Sequence, residues 1–365
     1  MPDRPFEYEV TFEELSCVGR KRRFDEAIDD EDEESLEVVC RRGGEEIPLA
    51  KPSRAFYFGD RNLYDQEARR YDQDEKSRIL NTDRFRDNLQ VFEELKRART
   101  RGFVMPFVGA GMSKSAGLAD WKEYLLSKAG IAGLEVEAVR MRLEVEGDYE
   151  RVMDEIVDRL TPSRFARDFE RDFRIPASID GAIASLPELF DSCVVTTNFD
   201  RVLEQVYENA GKAFVEKVTG RSGPSAFFRA VPAGERYLLK LHGNVDKAAE
   251  RVLTAREYSE AYGSEGNVNM TFPLPKMLRR LFLSYSFLFL GCSMTIDRSL
   301  QVFMRTAGEE GIESIPNHYA LLQSPSDDDL RQQFDRRLAD AHITPLWYPE
   351  GQHEYVETIL QLLID

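Results

Sequence analysis

From Phe103 onward, short uninterrupted apolar runs alternate with segments of helical period. The runs Phe103–Val108, Cys193–Thr196, Tyr237–Leu241, Phe287–Leu290, Tyr319–Leu322 and Ile343–Trp347 predict strands. Their hydrophobicity is continuous rather than alternating, as a strand covered on both faces requires. Between them, Arg201–Asn209, Asp297–Thr306 and Asp327–Ala341 predict helices. The last carries Leu330, Phe334 and Leu338 on one face, aspartates at its head and Arg336-Arg337 near its end, matching the helix dipole. This alternation predicts an α/β fold, a Rossmann-like parallel sheet with helices on both faces. A helical stretch between the first two strands, about Glu135–Pro187, predicts an insert lobe or lid.

The first 95 residues have a different texture and predict a small N-terminal α+β extension, with residues 96–365 as the main domain. Arg20-Lys21-Arg22-Arg23 precedes the acidic run Asp25–Glu34, which reads as a solvated loop. Leu36–Cys40 and Glu46–Leu49 flank Gly43-Gly44 and predict a hairpin. A helix is expected from about Asp83, since Phe85, Leu89, Phe92 and Leu95 fall on one face.

With 42% hydrophobic residues, the chain can bury a full core, which excludes a disordered reading. Its 49 basic and 66 acidic residues leave a net charge of −17, so direct nucleic-acid binding is not expected. The four cysteines form no Cys-x-x-Cys pair, so neither a zinc ribbon nor a disulfide framework is expected. The start Met-Pro-Asp-Arg-Pro lacks a signal core, and the uncharged stretch Leu281–Thr295 is too short for a comfortable span. A cytoplasmic protein without a membrane role is expected.

Four strand ends carry candidate chemistry. Gly109-Ala110-Gly111-Met112-Ser113 is either a phosphate turn or a tight strand-to-helix turn. It fits neither G-x-G-x-x-G nor the Walker pattern, since Lys114 stands at the third glycine position and Ser113 precedes Lys114-Ser115. Thr196-Thr197-Asn198-Phe199-Asp200 offers crevice groups, or merely caps the next helix. His242-Gly243 places an imidazole at a third strand end, with a glycine that leaves room for a ligand. Gly291-Cys292-Ser293 with Asp297 ends a fourth, either admitting a nucleoside or forming an ordinary turn.

Together these motifs resemble the sirtuin family. Gly109–Ser113 with Gly117-Leu118-Ala119-Asp120-Trp121 is similar to its G-A-G-x-S…G-I-P-D-F, and Thr196–Asp200 to its T-Q-N-x-D. His242-Gly243 is similar to its H-G, and Gly291–Ser293 to its G-T-S. The nearest likeness is to the bacterial sirtuin-like NAD hydrolases of antiphage defence. Ala119 and Trp121 replace the family's proline and phenylalanine, and residues 244–290 lack the four cysteines of the deacylases' zinc module.

The resemblance implies an NAD glycohydrolase with NAD as substrate and no zinc. Asn198 and His242 would be catalytic, Asn198 placing a water and His242 acting as base on the ribose. Gly109, Ala110, Gly111 and Ser113 would hold phosphates, Asp200 the carboxamide, and Trp121 would wall the nicotinamide. Asp120, Thr197 and Gly243 would line the site, and Gly291, Ser293 and Asp297 the adenosine half. A protein deacylase and a silent NAD- or ADP-ribose-binding subunit are the competing expectations. The resemblance further implies a higher-order homo-oligomer, latent until a companion such as a HerA-type ATPase, or alternatively a short Argonaute, releases it.

Overall fold

A computed structural model of the protein describes residues 21–31, 38–42, 45–49, 52–174, 178–220, 224–264, 266–294 and 297–364. The chain divides into two compact units, residues 1–82 and 83–365. In the smaller, β1 (Val38–Arg42) pairs antiparallel with β2 (Glu45–Leu49), Val38 opposite Leu49. The Gly43-Gly44 turn, Leu36, Glu37 and the end of the acidic run lie outside the described residues. Helices span Arg22–Glu31, Pro52–Gly59 and Arg61–Leu80. The charge run expected as a loop is thus largely helical. Phe24 and Ile28, one turn apart, give it an apolar stripe that packs on Tyr64 and Tyr71. The Tyr64 hydroxyl donates to Asp25 Oδ1 at 2.6 Å.

The larger unit is built on seven parallel strands: β3 (Val104–Val108), β4 (Val194–Thr196), β5 (Glu216–Thr219), β6 (Tyr237–Lys240), β7 (Ser286–Leu290), β8 (His318–Gln323) and β9 (Ile343–Tyr348). Their order is β5-β6-β4-β3-β7-β8-β9. Register aligns Leu239, Val195, Phe107, Phe289 and Ala320 in one row. That row packs under the helices Pro273–Ser284 and Arg298–Glu310 through Leu278, Phe282 and Phe303. The alternate residues Val108, Val194, Leu238 and Leu288 are equally buried, so both faces are covered. The helix expected from Asp83 begins at Asn88, although Phe85 is still in the core. Asn88 Nδ2 donates to Trp347 O at 2.7 Å and its Oδ1 accepts from Trp347 N at 3.1 Å, which fixes the helix to β9.

The insert between β3 and β4 is a helical lobe that starts at Trp121, earlier than its expected beginning. Tyr124, Leu125, Val152, Ile156, Phe165 and Phe169 form its own apolar core, closed by Phe199, Val245 and Leu253. No helix among the described residues is long and apolar enough to cross a membrane.

Candidate active site

From β3 the chain passes to β4 on one side, and from β7 to β8 on the other. The carboxyl ends of β3 and β7 therefore flank a topological switch point, where open α/β sheets bind ligands. Gly109 and Gly291 sit there. Gly109 N donates to Leu290 O at 2.8 Å and Gly111 N to Gly291 O at 2.9 Å. A Cβ on Gly109 would lie 2.5 Å from Gly291 O, and one on Gly291, at φ +63°, would lie 2.4 Å from Met112 N. These glycines are required by backbone meeting backbone, and two of the turn's amides are already engaged. Ala110–Ala116 forms a 3₁₀ turn rather than an α-helix.

Ser113, on that turn, meets the β4 end. Its hydroxyl donates to Asp200 Oδ2 at 3.0 Å. Asn198 Nδ2 donates to Gly109 O at 3.1 Å and to Ser113 Oγ at 3.2 Å. Asp200 Oδ1 accepts from Val202 N at 2.9 Å, so Asp200 caps the next helix as well. The capping alternative thus holds for Asp200, whereas Asn198 reaches across to β3. Asn198 is only 6% exposed, and its Oδ1 has no protein partner. An unsatisfied buried acceptor carries a desolvation penalty that a ligand or water donor would relieve. Burial raises the Asp200 carboxyl's pKa, and the Lys240 cation is the first force opposing it.

His242, beyond the end of β6, is 5% exposed, and burial holds its imidazole down to about 4. Its Nε2 is 2.9 Å from the Tyr262 hydroxyl and its Nδ1 is 3.4 Å from that of Tyr258. Gly243 stands at φ +92°, where a Cβ would lie 2.4 Å from Glu250 O. Close backbone approach explains this glycine, instead of room for a ligand. Lys240, 1% exposed, ties the neighbouring loops. Its Nζ donates to Phe199 O at 3.2 Å, to Asn244 Oδ1 at 3.2 Å and to the Asp200 carbonyl. It also pairs with Glu204 at 3.2 Å.

The remaining predicted residues spread around this centre. Trp121 stacks on Tyr124 at 5.5 Å and lies 5.7 Å from the Phe199 ring. Asp120 caps its helix in a box with Glu123 and pairs with Lys114 at 3.0 Å, a structural duty that sequence did not assign it. Thr197 is half-buried, its amide donating to Val108 O at 3.3 Å. Ser293 is exposed. Asp297 caps Arg298–Glu310 through Leu300 N at 2.8 Å. The residue as a whole is exposed, yet protein packed around its carboxyl desolvates it and pushes its pKa up to about 6, against the pull of the Leu300 and Ser299 amides. Next to it, Arg298 grips Glu150 of the insert lobe with two 2.8 Å bonds and donates to Gly263 O at 3.0 Å.

Residues 192–346, from just before β4 into β9, match the family model of the SIR2-like domain. The chain is 25% identical over 241 residues to the NAD(+) hydrolase ThsA of Cytobacillus dafuensis, covering 65% of this chain and 44% of that protein. It is 27% identical over 244 residues to the NAD(+) hydrolase ThsA of Bacillus cereus (strain MSX-D12), covering 64% and 46%. The aligned stretch is thus less than half the length of these relatives. Among the described residues, no group of three His, Cys, Asp or Glu side chains could hold a metal ion.

Tyr258, Tyr262, Lys240 and Ser299 were missed as site residues. A Thr254-x-x-Glu257 capping box did mark the start of the tyrosine helix, Ala255–Tyr262.

Proposed function

We propose that this chain hydrolyses NAD to nicotinamide and ADP-ribose, as the names of its two relatives say of them. The observation that carries this is the partnerless Asn198 Oδ1, buried beside Ser113 at the switch point. Nicotinamide leaves its cationic ring neutral, so the site needs no general acid at the leaving group. It must stabilise an oxocarbenium-like ribose and deliver water. Asn198 Oδ1 is placed to accept a hydrogen bond from that water or from a ribose hydroxyl. His242, kept neutral by burial, takes up the proton that hydrolysis releases. Asp200 orients Ser113, and Trp121 with Phe199 offers an aromatic wall for the nicotinamide.

The wider reading is a cytoplasmic antiphage effector, latent in a homo-oligomer until a companion protein acts on it. The likeness to the ThsA proteins supports it, and residues 1–82, a compact unit of their own, offer a surface for assembly or docking. The test is nicotinamide release from NAD by the full chain, with and without an acetylated peptide. Release without peptide, abolished by Asn198→Ala and by His242→Ala in proteins that still melt cooperatively, is expected. Peptide-dependent release would make it a deacylase. Binding of NAD without cleavage, with the companion present, would make it a silent subunit.

A further inference from the structure

His242 is held from both sides by one helix. Tyr258 and Tyr262 lie one turn apart on Ala255–Tyr262, with rings 5.9 Å apart and nearly parallel. Both meet the imidazole edge-on, at 5.2 and 5.9 Å. The two contacts differ in strength. The Tyr262 hydroxyl is 2.9 Å from Nε2, within the normal range, whereas that of Tyr258 is 3.4 Å from Nδ1, beyond it. Tyr262 is itself anchored, 3.2 Å from Ser299 Oγ at the head of the helix that follows β7. Burial raises the pKa of both tyrosines, so their hydroxyls stay protonated. A neutral imidazole has one N–H and one lone pair, and its neighbours decide which nitrogen carries which. With both nitrogens engaged, a substrate hydroxyl can reach the ring only by replacing one tyrosine, and the longer contact is the one to yield.

We propose that Tyr262 is a positioning residue that, with Ser299, holds His242 in the Nε2–H tautomer and presents Nδ1 to the substrate. Nε2–H donates to the Tyr262 oxygen, and Tyr262 O–H donates to Ser299 Oγ. Tyr258 O–H covers the Nδ1 lone pair until a ribose hydroxyl or the attacking water takes its place. Hydrolysis of NAD by water yields nicotinamide, ADP-ribose and one proton. That proton passes to Nδ1, gives an imidazolium still bonded through Nε2–H to Tyr262, and leaves to solvent with the products. That Tyr262 rather than Tyr258 anchors the ring rests on the two distances, 2.9 and 3.4 Å; the identity of the hydroxyl rests on the NAD-cleaving reading.

The experiment is a two-bond proton–nitrogen spectrum of the full chain labelled with nitrogen-15 in its four histidines, His242 being assigned by its loss in His242→Asn. A single Nε2–H tautomer is expected for His242. Tyr262→Phe should mix the tautomers and lower kcat for nicotinamide release about tenfold or more, with KM nearly unchanged. Tyr258→Phe should keep the tautomer and act on KM. An Nδ1–H tautomer in the parent protein, or an unchanged spectrum in Tyr262→Phe, overturns the proposal. If the spectra behave as expected but no nicotinamide is released with the companion present, the positioning stands and the NAD reading falls. Should Tyr262→Phe not fold, Ser299→Ala must show the mixing, and an unmixed tautomer there overturns the proposal equally.

Discussion

Replacing Lys240 by methionine removes a buried cation that ties together the loops carrying Asn198, Asp200 and His242. The ammonium is 1% exposed and its partner Glu204 is 6% exposed, so solvent compensates neither. Removal leaves Glu204 as a buried anion whose Oε2 already lacks a hydrogen bond, and takes the donor from the Asp200 carbonyl, whereas Phe199 O and Asn244 Oδ1 keep the Val245 amide. Breaking a buried pair from one side costs about 3–5 kcal/mol, a large share of a typical total of about 5–15 kcal/mol. Removing both charges with apolar side chains of similar size is often neutral or stabilising. Lys240→Met with Glu204→Leu should therefore recover more than half of the single mutant's loss in urea denaturation. The Asp200 carbonyl left without its donor keeps it below the parent by about 1 kcal/mol. NAD cleavage should stay low in both, since neither restores the tie between loops. A single mutant within about 1 kcal/mol of the parent, or a double mutant no more stable than the single, would refute this account.

Three further outcomes follow from burial and from the lobe contact. His242 titrates near 4 in the folded chain against 6.5 for a free imidazole, so the acid limb of kcat/KM for NAD should lie below about pH 5; a limb near 6.5 would show a solvated imidazole. For stability, the unfolded state binds the extra proton between those values, so His242 withdraws up to about 3 kcal/mol as pH falls from 6.5 to 4. Asp297, raised to about 6, and Asp200, also raised, act in the opposite sense, so His242→Gln should flatten the acid destabilisation measured in urea. Arg298→Met, which cuts the paired 2.8 Å bonds to Glu150, should speed amide exchange in Tyr149–Leu160 and spare the β-sheet; unchanged exchange would mean that the apolar lobe core alone holds that helix.

The central strands were legible because each is apolar on both faces, and their expected ends lie within a residue or two of the observed ones. Strand β5 was not. Its Glu216-Lys217-Val218-Thr219 lies at the sheet edge with its first two residues exposed, so it never shows a continuous apolar run. The helices of the smaller unit were hidden for a related reason: charge surrounds the few apolar residues that pack. At the site, Ser113, Asn198 and His242 were readable as polar groups just past apolar strands. Gly109, Gly111, Gly243 and Gly291 were readable as places of close approach, but sequence assigned the approaching group to a ligand where the structure supplies a second stretch of backbone. Lys240 looked like a strand residue, and Tyr258 and Tyr262 like an amphipathic stripe. Only the docking of their helix against the β6 loop gives them a site to serve.

The lobe's attachment bears on how latency could work. A lid that swings freely needs a weak seam, and this seam is neither small nor remote. Phe199 lies between Asn198 and Asp200, Val245 three residues after His242, and both seal the lobe's core together with Leu253. Each buried large apolar side chain contributes about 1.5–3 kcal/mol, so lifting the lobe away would expose several kcal/mol of apolar surface and drag both catalytic loops with it. Arg251 adds to the seam, its guanidinium 4.8 Å over the Phe169 ring and bonded to Asn244 O at 3.2 Å. A small shift of the lobe is thus cheaper than opening, and it would move Asn198 and His242 directly. On the proposed reading, a companion that grips the lobe would switch the site by realigning these side chains, with no need to lift the lobe away.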